Sequence, residues 1–420
     1  MNSKFIVWIK FAMANLLRNG RRSFYTIIAI AIGYAAVNIF GGFTSYIFTN
    51  LKDSFIYSHA NGHLTIFKKG FLTEGRIDPT KYLITSQEYA LIDDICAKIP
   101  QILIATPQMQ ITGLISNGEV STVFIGSGRV PSQTQEIQRQ ATGIGGNLKL
   151  HNGKALQDDI PYGVGLTNGL AEKLNIDIGS DAVVMSPTVD GRINALDVEV
   201  FQRYDVPVEE LNDKVMRLPL KFAQSLYDTK SIDRLSLLLT DEKLITPIKK
   251  LLQTAFKKNK LEMEVKTWKE LSPFYRKVKD MFDIIFIFIF IIVFIIVVTS
   301  VVNTLSMSVI ERTREIGTLR ALGLKRKGII GLFAMESGML GLVGSFFGIL
   351  ITILNWLLIK LFEPQWMPPN YVIKIPLEIF MVPVYMYWTL LFLVLLSSII
   401  SIIPAKKAAY KNIVDALGHT

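Results

Sequence analysis

Ser308–Leu324 reads SVIERTREIGTLRALGL, a charged, helix-compatible run set between two apolar stretches that are each long enough to cross a bilayer. Glu311, Arg312, Arg314, Glu315 and Arg320 are too costly to leave in hydrocarbon, so the run belongs in water or at the headgroups. Ile310, Ile316, Leu319 and Leu322 supply an incomplete apolar stripe at helical spacing, and Gly317 and Gly323 are placed to interrupt or end the helix. Composition alone leaves two readings open: an ordinary basic loop between spans, or an element that docks on something.

Working outward, half of the 420 residues are hydrophobic (50%), and a mean hydropathy of +0.36 points to a membrane protein. Four runs, about Phe24–Phe48, Phe282–Met307, Ile329–Phe362 and Phe380–Ile403, have the roughly 20 apolar residues a span requires. They predict spans over 23–48, 281–307, 329–362 and 380–403. A large globular region, 49–280, separates the first two, and a short outer loop, 363–379, joins the last two. The fold class is thus four transmembrane helices with a large α+β domain between helices one and two.

Charge placement predicts the orientation. From Phe48 to Met281 there are 29 Lys and Arg against 28 Asp and Glu, so nearly all of the formal net charge of +10 lies in and beside the spans. Lys4, Lys10, Arg18, Arg21 and Arg22 precede the first span. Arg312, Arg314, Arg320, Lys325, Arg326 and Lys327 lie between the second and third, and Lys406, Lys407 and Lys411 follow the fourth. The positive-inside rule puts all three groups in the cytoplasm, with both termini inside and 49–280 outside. A nucleic-acid partner, the rival explanation for a basic chain, would gather this charge on one domain, which the sequence does not do. The single cysteine, Cys96, excludes an intrachain disulfide. Lys4–Arg22 is too long and mixed for a signal-peptide n-region, and the first span is expected to stay as an anchor.

Lys4–Leu17 fits an amphipathic helix in the inner interface within a cytoplasmic segment 1–22, with Trp8 at headgroup depth. In the first span, Gly33, Gly41 and Gly42 allow close helix approach and Asn38 is expected to bond across helices. The outer region opens with a strand in HLTIFKKG (63–70), then a helix over Ser86–Ile99 capped by Ser86. Strands at Gln108–Ser116 and Glu119–Gly126 are joined at Asn117-Gly118, a hairpin signal. Ser132–Lys154 reads as a polar inserted loop or linker. A helix at Thr167–Leu174 and strands at Ala182–Met185 and Ala195–Phe201 follow. Lys266–Asp280, broken only by Pro273, predicts a helical stalk running into the second span. The phenylalanines from Phe282 to Phe294 read as lipid-facing and dimer-packing bulk. Gly341, Gly344 and Gly348 mark a packing face in the third span.

No catalytic set and no metal-ligand set emerges: there is no Walker A run, no G-x-S-x-G, and His59 and His63 lack a partner pattern. Glu336 is the one acid inside an apolar run. It reads either as a transport-coupled carboxylate or as an interface residue pairing with Arg320 or Lys327.

ERTREIGTLRALG, followed by basic residues, a Glu and a glycine-spaced apolar helix, resembles the signature of the FtsX-like (MacB/LolC/LolE) permeases, and PAKKAAYKNIVDAL (404–417) resembles their C-terminal end. The resemblance implies that 308–328 is the coupling segment docking on an ATPase, with Glu311, Arg312, Arg314, Glu315, Gly317, Arg320, Ala321 and Gly323 as the coupling residues. It implies a porter-like α+β lobe (about 61–129 and 214–268), with Arg217–Thr229 and Arg234–Leu239 resembling the helix and then the strand that return to it, a sabre-like inserted lobe (about 155–213) and a cytoplasmic tail, 404–420. It further implies an ABC ATPase dimer that binds ATP and Mg, with no cofactor in this chain, and a second permease copy or paralogue. A bacterial inner-membrane location follows. Three functions compete: extraction of lipoprotein or lipid-linked cargo with a periplasmic chaperone, export of a peptide, toxin or drug with a periplasmic adaptor, and signalling to a cell-wall hydrolase. The first is favoured, and the third fits poorly because the outer region is large.

Overall fold

Hydrocarbon leaves backbone amides no partners but one another, so the four apolar runs fold as long helices. The computed structural model describes residues 20–75, 77–142, 152–206, 209–367 and 374–410. In chain order the principal helices begin with α1 (Gly20–Asp53), α2 (Ser86–Ala97), α3 (Pro131–Gln138), α4 (Asn168–Lys173) and α5 (Leu220–Leu226). They continue with α6 (Ile245–Lys258), α7 (Pro273–Glu311), α8 (Thr313–Ala321), α9 (Arg326–Phe362), α10 (Pro383–Ile400) and α11 (Ile402–Tyr410). The strands are β1 (Leu64–Lys68), β2 (Ile102–Ser116), β3 (Ser121–Arg129), β4 (Asn152–Gly153), β5 (Gly163–Thr167) and β6 (Asp181–Pro187). After these come β7 (Ile193–Tyr204), β8 (Val215–Pro219), β9 (Arg234–Leu239), β10 (Met263–Thr267) and the two-residue pair β11 (Gln365–Trp366) and β12 (Ile375–Pro376). The amphipathic helix expected over Lys4–Leu17 and the residues after Tyr410 lie outside the described part. Two units are distinct. One holds the described residues up to Phe48, Val278–Pro364 and those from Leu377 onward; the other is Thr49–Lys277 with Gln365–Pro376.

Among the described residues of the helical unit, four helices are long and apolar enough to cross a membrane. Small residues set how they pack. A methyl group at Gly344 would sit 2.7 Å from Ile30 Cβ and one at Gly348 2.6 Å from Tyr34 Cβ, so α9 meets α1 at a face only glycine allows. Gly338 and Gly341 bring the same helix against Ser398 and Ser397 of α10. Val293, Val297, Val301 and Leu305 form the inward stripe of α7. Thr26 and Thr304 share a 2.6 Å hydroxyl contact between α1 and α7, and Tyr34 Oη donates to Met386 O at 3.0 Å. Asn38 does not bond across helices as expected. Its Nδ2 donates to Tyr34 O one turn back, at 2.8 Å. The phenylalanines of α7 divide between two roles: Phe282 and Phe286 stack on Phe40, while Phe288 stays exposed.

The α+β unit is organised by one ten-stranded sheet, β10-β1-β9-β2-β3-β8-β5-β7-β4, with β6 pairing β2 and β7. The strands of 61–129 and 214–268 fill one end, and those of 155–213 extend it from β8 through β5. Among the described strands, only β3–β8 and β5–β7 are parallel. β1 lies between β10 and β9, so Leu64, Thr65, Ile66 and Phe67 are all buried, not only the alternate residues. The Asn117-Gly118 turn closes the β2–β3 hairpin. Gly118 takes φ +96°, and Asn117 Oδ1 accepts from Glu119 and Val120 N.

Three expectations are corrected here. Helix α2 is capped by Thr85, not Ser86, through a capping box with Glu88. Part of the presumed loop 132–154 is helix α3, started by Pro131 and anchored by buried Ile137. The stalk does not begin at Lys266. Lys266 and Thr267 end β10, Trp268–Leu271 makes one capped turn, and Pro273 starts α7 where it was read as breaking a helix.

Cys96 lies on the buried face of α2 at 2% exposure, and burial pushes its thiol up to about 12. The folded chain is expected to react with a thiol reagent at pH 8 roughly a thousandfold more slowly than the denatured chain, since only the thiolate attacks. Colour release with and without denaturant measures this.

Candidate functional site

The site grows from a helix that stops and restarts. α7 ends at Glu311, and Arg312 leaves helical geometry at φ −106°, ψ 15°. α8 then runs nine residues, Thr313–Ala321. Its end is a Schellman turn: Gly323 takes φ +95°, Gly323 N donates to Arg320 O and Leu324 N to Leu319 O, both at 3.0 Å. Gly317 lies inside α8, so only Gly323 ends the helix. The chain re-enters the apolar unit at Arg326, the first residue of α9.

The break is held by a buried ion pair. Arg312 Nη1 donates to Glu336 Oε2 at 3.1 Å, and the two side chains are 10% and 6% exposed. Arg312 Nε donates to Glu315 Oε2 at 3.0 Å, and the guanidinium lies 5.8 Å from the Phe333 ring centroid. One cation therefore ties the first turn of α8 to the second and third turns of α9. The carboxylate bonds Arg312, which lies 24 residues earlier and is not among the partners expected from sequence.

The predicted site residues separate by exposure. Glu311, Arg314, Ala321 and Gly323 are exposed, Glu315 and Arg320 are half-buried, and Arg312 and Gly317 are buried. Arg312 and Gly317 thus face the chain's own core, Gly317 alongside buried Thr313 and Ile316. Glu311 is joined by Arg22 Nη1 at 2.5 Å, an exposed pair worth little by itself. A cavity of about 150 Å³ lies under α8, lined by Val309, Ile316, Gly317, Arg320, Lys407 and Ala408 among others. Leu322, 81% exposed, gives the outer face an apolar tip between Arg314 and the basic run Lys325–Lys327. Arg22 and Lys407, which the sequence marks only as orientation charges, each reach the site from a distant segment.

Comparison with known proteins bears on this region. Residues 286–413 match the model of the FtsX-like permease C-terminal domain. An uncharacterised ABC transporter permease of Methanocaldococcus jannaschii is 32% identical over 113 residues, 27% of this chain and 28% of the relative. The macrolide export ATP-binding/permease protein MacB of Escherichia coli is 31% identical over 119 residues, 28% of this chain and 17% of that protein. The chain thus matches well under a third of the length of these relatives. Among solved structures, the periplasmic region of MacB from Actinobacillus actinomycetemcomitans aligns with a TM-score of 0.37 at 15% identity, covering 50% of this chain and 91% of that one. The extracellular domain of the transporter YknZ from Gram-positive bacteria aligns at 0.35 and 13% identity, covering 49% and 100%.

Removing one member of a buried pair strands the other, typically at 3–5 kcal/mol, whereas replacing both by apolar residues is often close to neutral. Glu336→Leu and Arg312→Met are each expected to lower the unfolding midpoint of the helical unit in detergent, and the double variant to recover most of the loss. Additive losses would mean that the two side chains do not act as a pair.

Proposed function

We propose that this chain, whose residues 286–413 match the model of the FtsX-like permease C-terminal domain, is the membrane subunit of an ABC transporter that turns ATP hydrolysis by a partner ATPase into movement outside the membrane. The observation that carries the reading is the exposed face of α8, with Arg314, Ala321 and Leu322, held at a helix break by the Arg312–Glu336 pair. A surface projecting from a fixed base is what a docking element needs. The ATPase dimer would bind ATP and Mg, and a second permease copy or paralogue would complete the assembly.

α7 supplies a path for the movement. It is 39 residues long without interruption, about 58 Å at 1.5 Å per residue, nearly twice the hydrocarbon thickness of about 30 Å. A tilt imposed where α8 joins Glu311 would travel along a rigid rod to Pro273. The positive-inside distribution supports cytoplasmic α8, α11 and termini and a periplasmic α+β unit in a bacterial inner membrane.

For cargo, we favour lipoprotein or lipid-linked molecules, as the LolC/LolE resemblance implies. The MacB relatives support a second reading, export of a drug, toxin or peptide through an adaptor. A complex arrested in mid-cycle that retains lipoprotein supports the first. Stimulation of ATP hydrolysis by a macrolide, with no lipoprotein retained, supports the second.

Charge-assisted hydrogen bonds shielded from water contribute roughly 1.5–3 kcal/mol each, so loss of one weakens association about tenfold or more. Arg314→Glu and Leu322→Glu are expected to remove ATPase co-purification and stimulation while leaving the melting of the α+β unit unchanged. Glu315→Arg is a poorer probe, because Glu315 also bonds Arg312. Wild-type association and stimulation in both exposed-face variants would sink the docking role of α8.

A further inference from the structure

A cavity of about 200 Å³ opens within the α+β unit, lined among others by Ser58, His59, Arg129, Gln202, Tyr204 and Arg217. Strand periodicity brings these side chains together. Ser127 and Arg129 share a face of β3, Gln202 and Tyr204 share a face of β7, and Arg217 on β8 lies in register with Ser127. Ser58 and His59 come from the turn after α1, and helix α3 adds Gln135 and Gln138.

Three features of the lining point to a missing acceptor. Tyr204 is 3% exposed, and its hydroxyl has no hydrogen-bond partner among the described residues; the same is true of Ser58 Oγ. Buried donors left unmade are costly and call for an explanation. Arg129 is held only by uncharged oxygens. Nε donates to Ser127 Oγ at 2.8 Å, Nη1 to Ala60 O at 3.0 Å and also to His59 O, and Nη2 to Asn61 Oδ1 at 3.1 Å. Asp233, the acid that acts on it from a distance, is already bonded to Arg234. The Arg217 guanidinium lies 3.8 Å over the Tyr204 ring, adding positive charge at the same wall. Arg234, the next guanidinium along, is matched by Asp233 at 2.9 Å. No carboxylate occurs among the described residues of the cavity lining. Burial and the like charges of Arg217 and Arg234 together push Arg129 down to about 9, which still leaves it a cation at neutral pH.

We propose that this cavity is a binding site for a phosphate group, held by Arg129, Tyr204, Ser58 and Arg217. A cation would meet two guanidinium groups, and a neutral apolar ligand would leave both hydroxyls unmade. The donors come from β3, β7, β8 and a loop, so they converge from several directions. That suits a tetrahedral oxyanion better than a planar carboxylate, which pairs with a single fork. The volume equals roughly six or seven waters at about 30 Å³ each, room for one phosphate group with part of its hydration. The phosphate belongs either to free inorganic phosphate or to a phosphomonoester headgroup. The site stands independently of the transport reading.

Titration calorimetry of the full chain in detergent, at constant ionic strength, tests it with two probes: inorganic phosphate and dihexanoyl phosphatidic acid. One saturable site is expected for the wild type. Tyr204→Phe and Ser58→Ala should each raise Kd about tenfold, without lowering the melting temperature in phosphate-free buffer, since each removes a hydroxyl the fold does not use. Binding of inorganic phosphate assigns the site to the free anion; binding of phosphatidic acid alone assigns it to a headgroup. Failure of both probes to bind the wild type overturns the proposal. So does equal binding by the wild type and the Tyr204→Phe/Ser58→Ala double variant.

Discussion

The placement of α8 depends on one interaction, the ion pair between Arg312 and Glu336. Either group alone in those surroundings would be a severe penalty, and even together they gain little over a well-packed apolar pair. What the pair provides is position. α7 has to stop where it does, because Arg312 must turn in to reach Glu336. α8 starts from that point, and the Schellman turn at Gly323 returns the chain to α9. The exposed face of α8 is thereby aimed by a contact that itself never reaches solvent.

The same chain satisfies three arginines in two ways. Arg312 is neutralised by Glu336, Arg234 by Asp233, and Arg129 receives only uncharged oxygens. The first two arrangements are complete as structure. The third leaves charge unmatched beside two unpartnered hydroxyls, which separates a binding cavity from a structural ion pair. In the helices, polarity is handled more locally. Thr352, Ser397 and Ser398 each return a hydroxyl proton to the carbonyl one turn back, and glycines, not polar contacts, set the closest approaches.

Much of this was legible in the sequence because its causes are local. Spans announce themselves by the length hydrocarbon demands, and the β2–β3 turn by Asn117-Gly118. Errors arose where local signals compete. Thr85 and Ser86 are both able caps, and only the reciprocal bond to Glu88 decides between them. Pro273 breaks a helix it sits within but starts one it precedes. What was not legible depends on distant partners. A charged residue next to a span reads as solvated, and nothing near Arg312 announces that it turns inward to a glutamate two dozen residues on. The cavity around Tyr204 draws on three strands, a helix and a loop, none carrying a motif of its own. The fold class was therefore readable residue by residue, while the division of the coupling run into an outward face and an inward anchor required the three-dimensional structure.

The most direct test of the central claim is a photo-crosslinking amino acid placed at Leu322, the apolar tip of α8, in the full chain expressed in its own host. Irradiation followed by identification of the adducts is expected to give an ABC ATPase, and to give none when the same group replaces Tyr162, an exposed residue of the α+β unit. Adducts at Leu322 made only with lipid, or equal ATPase capture from both positions, would contradict a docking role for α8.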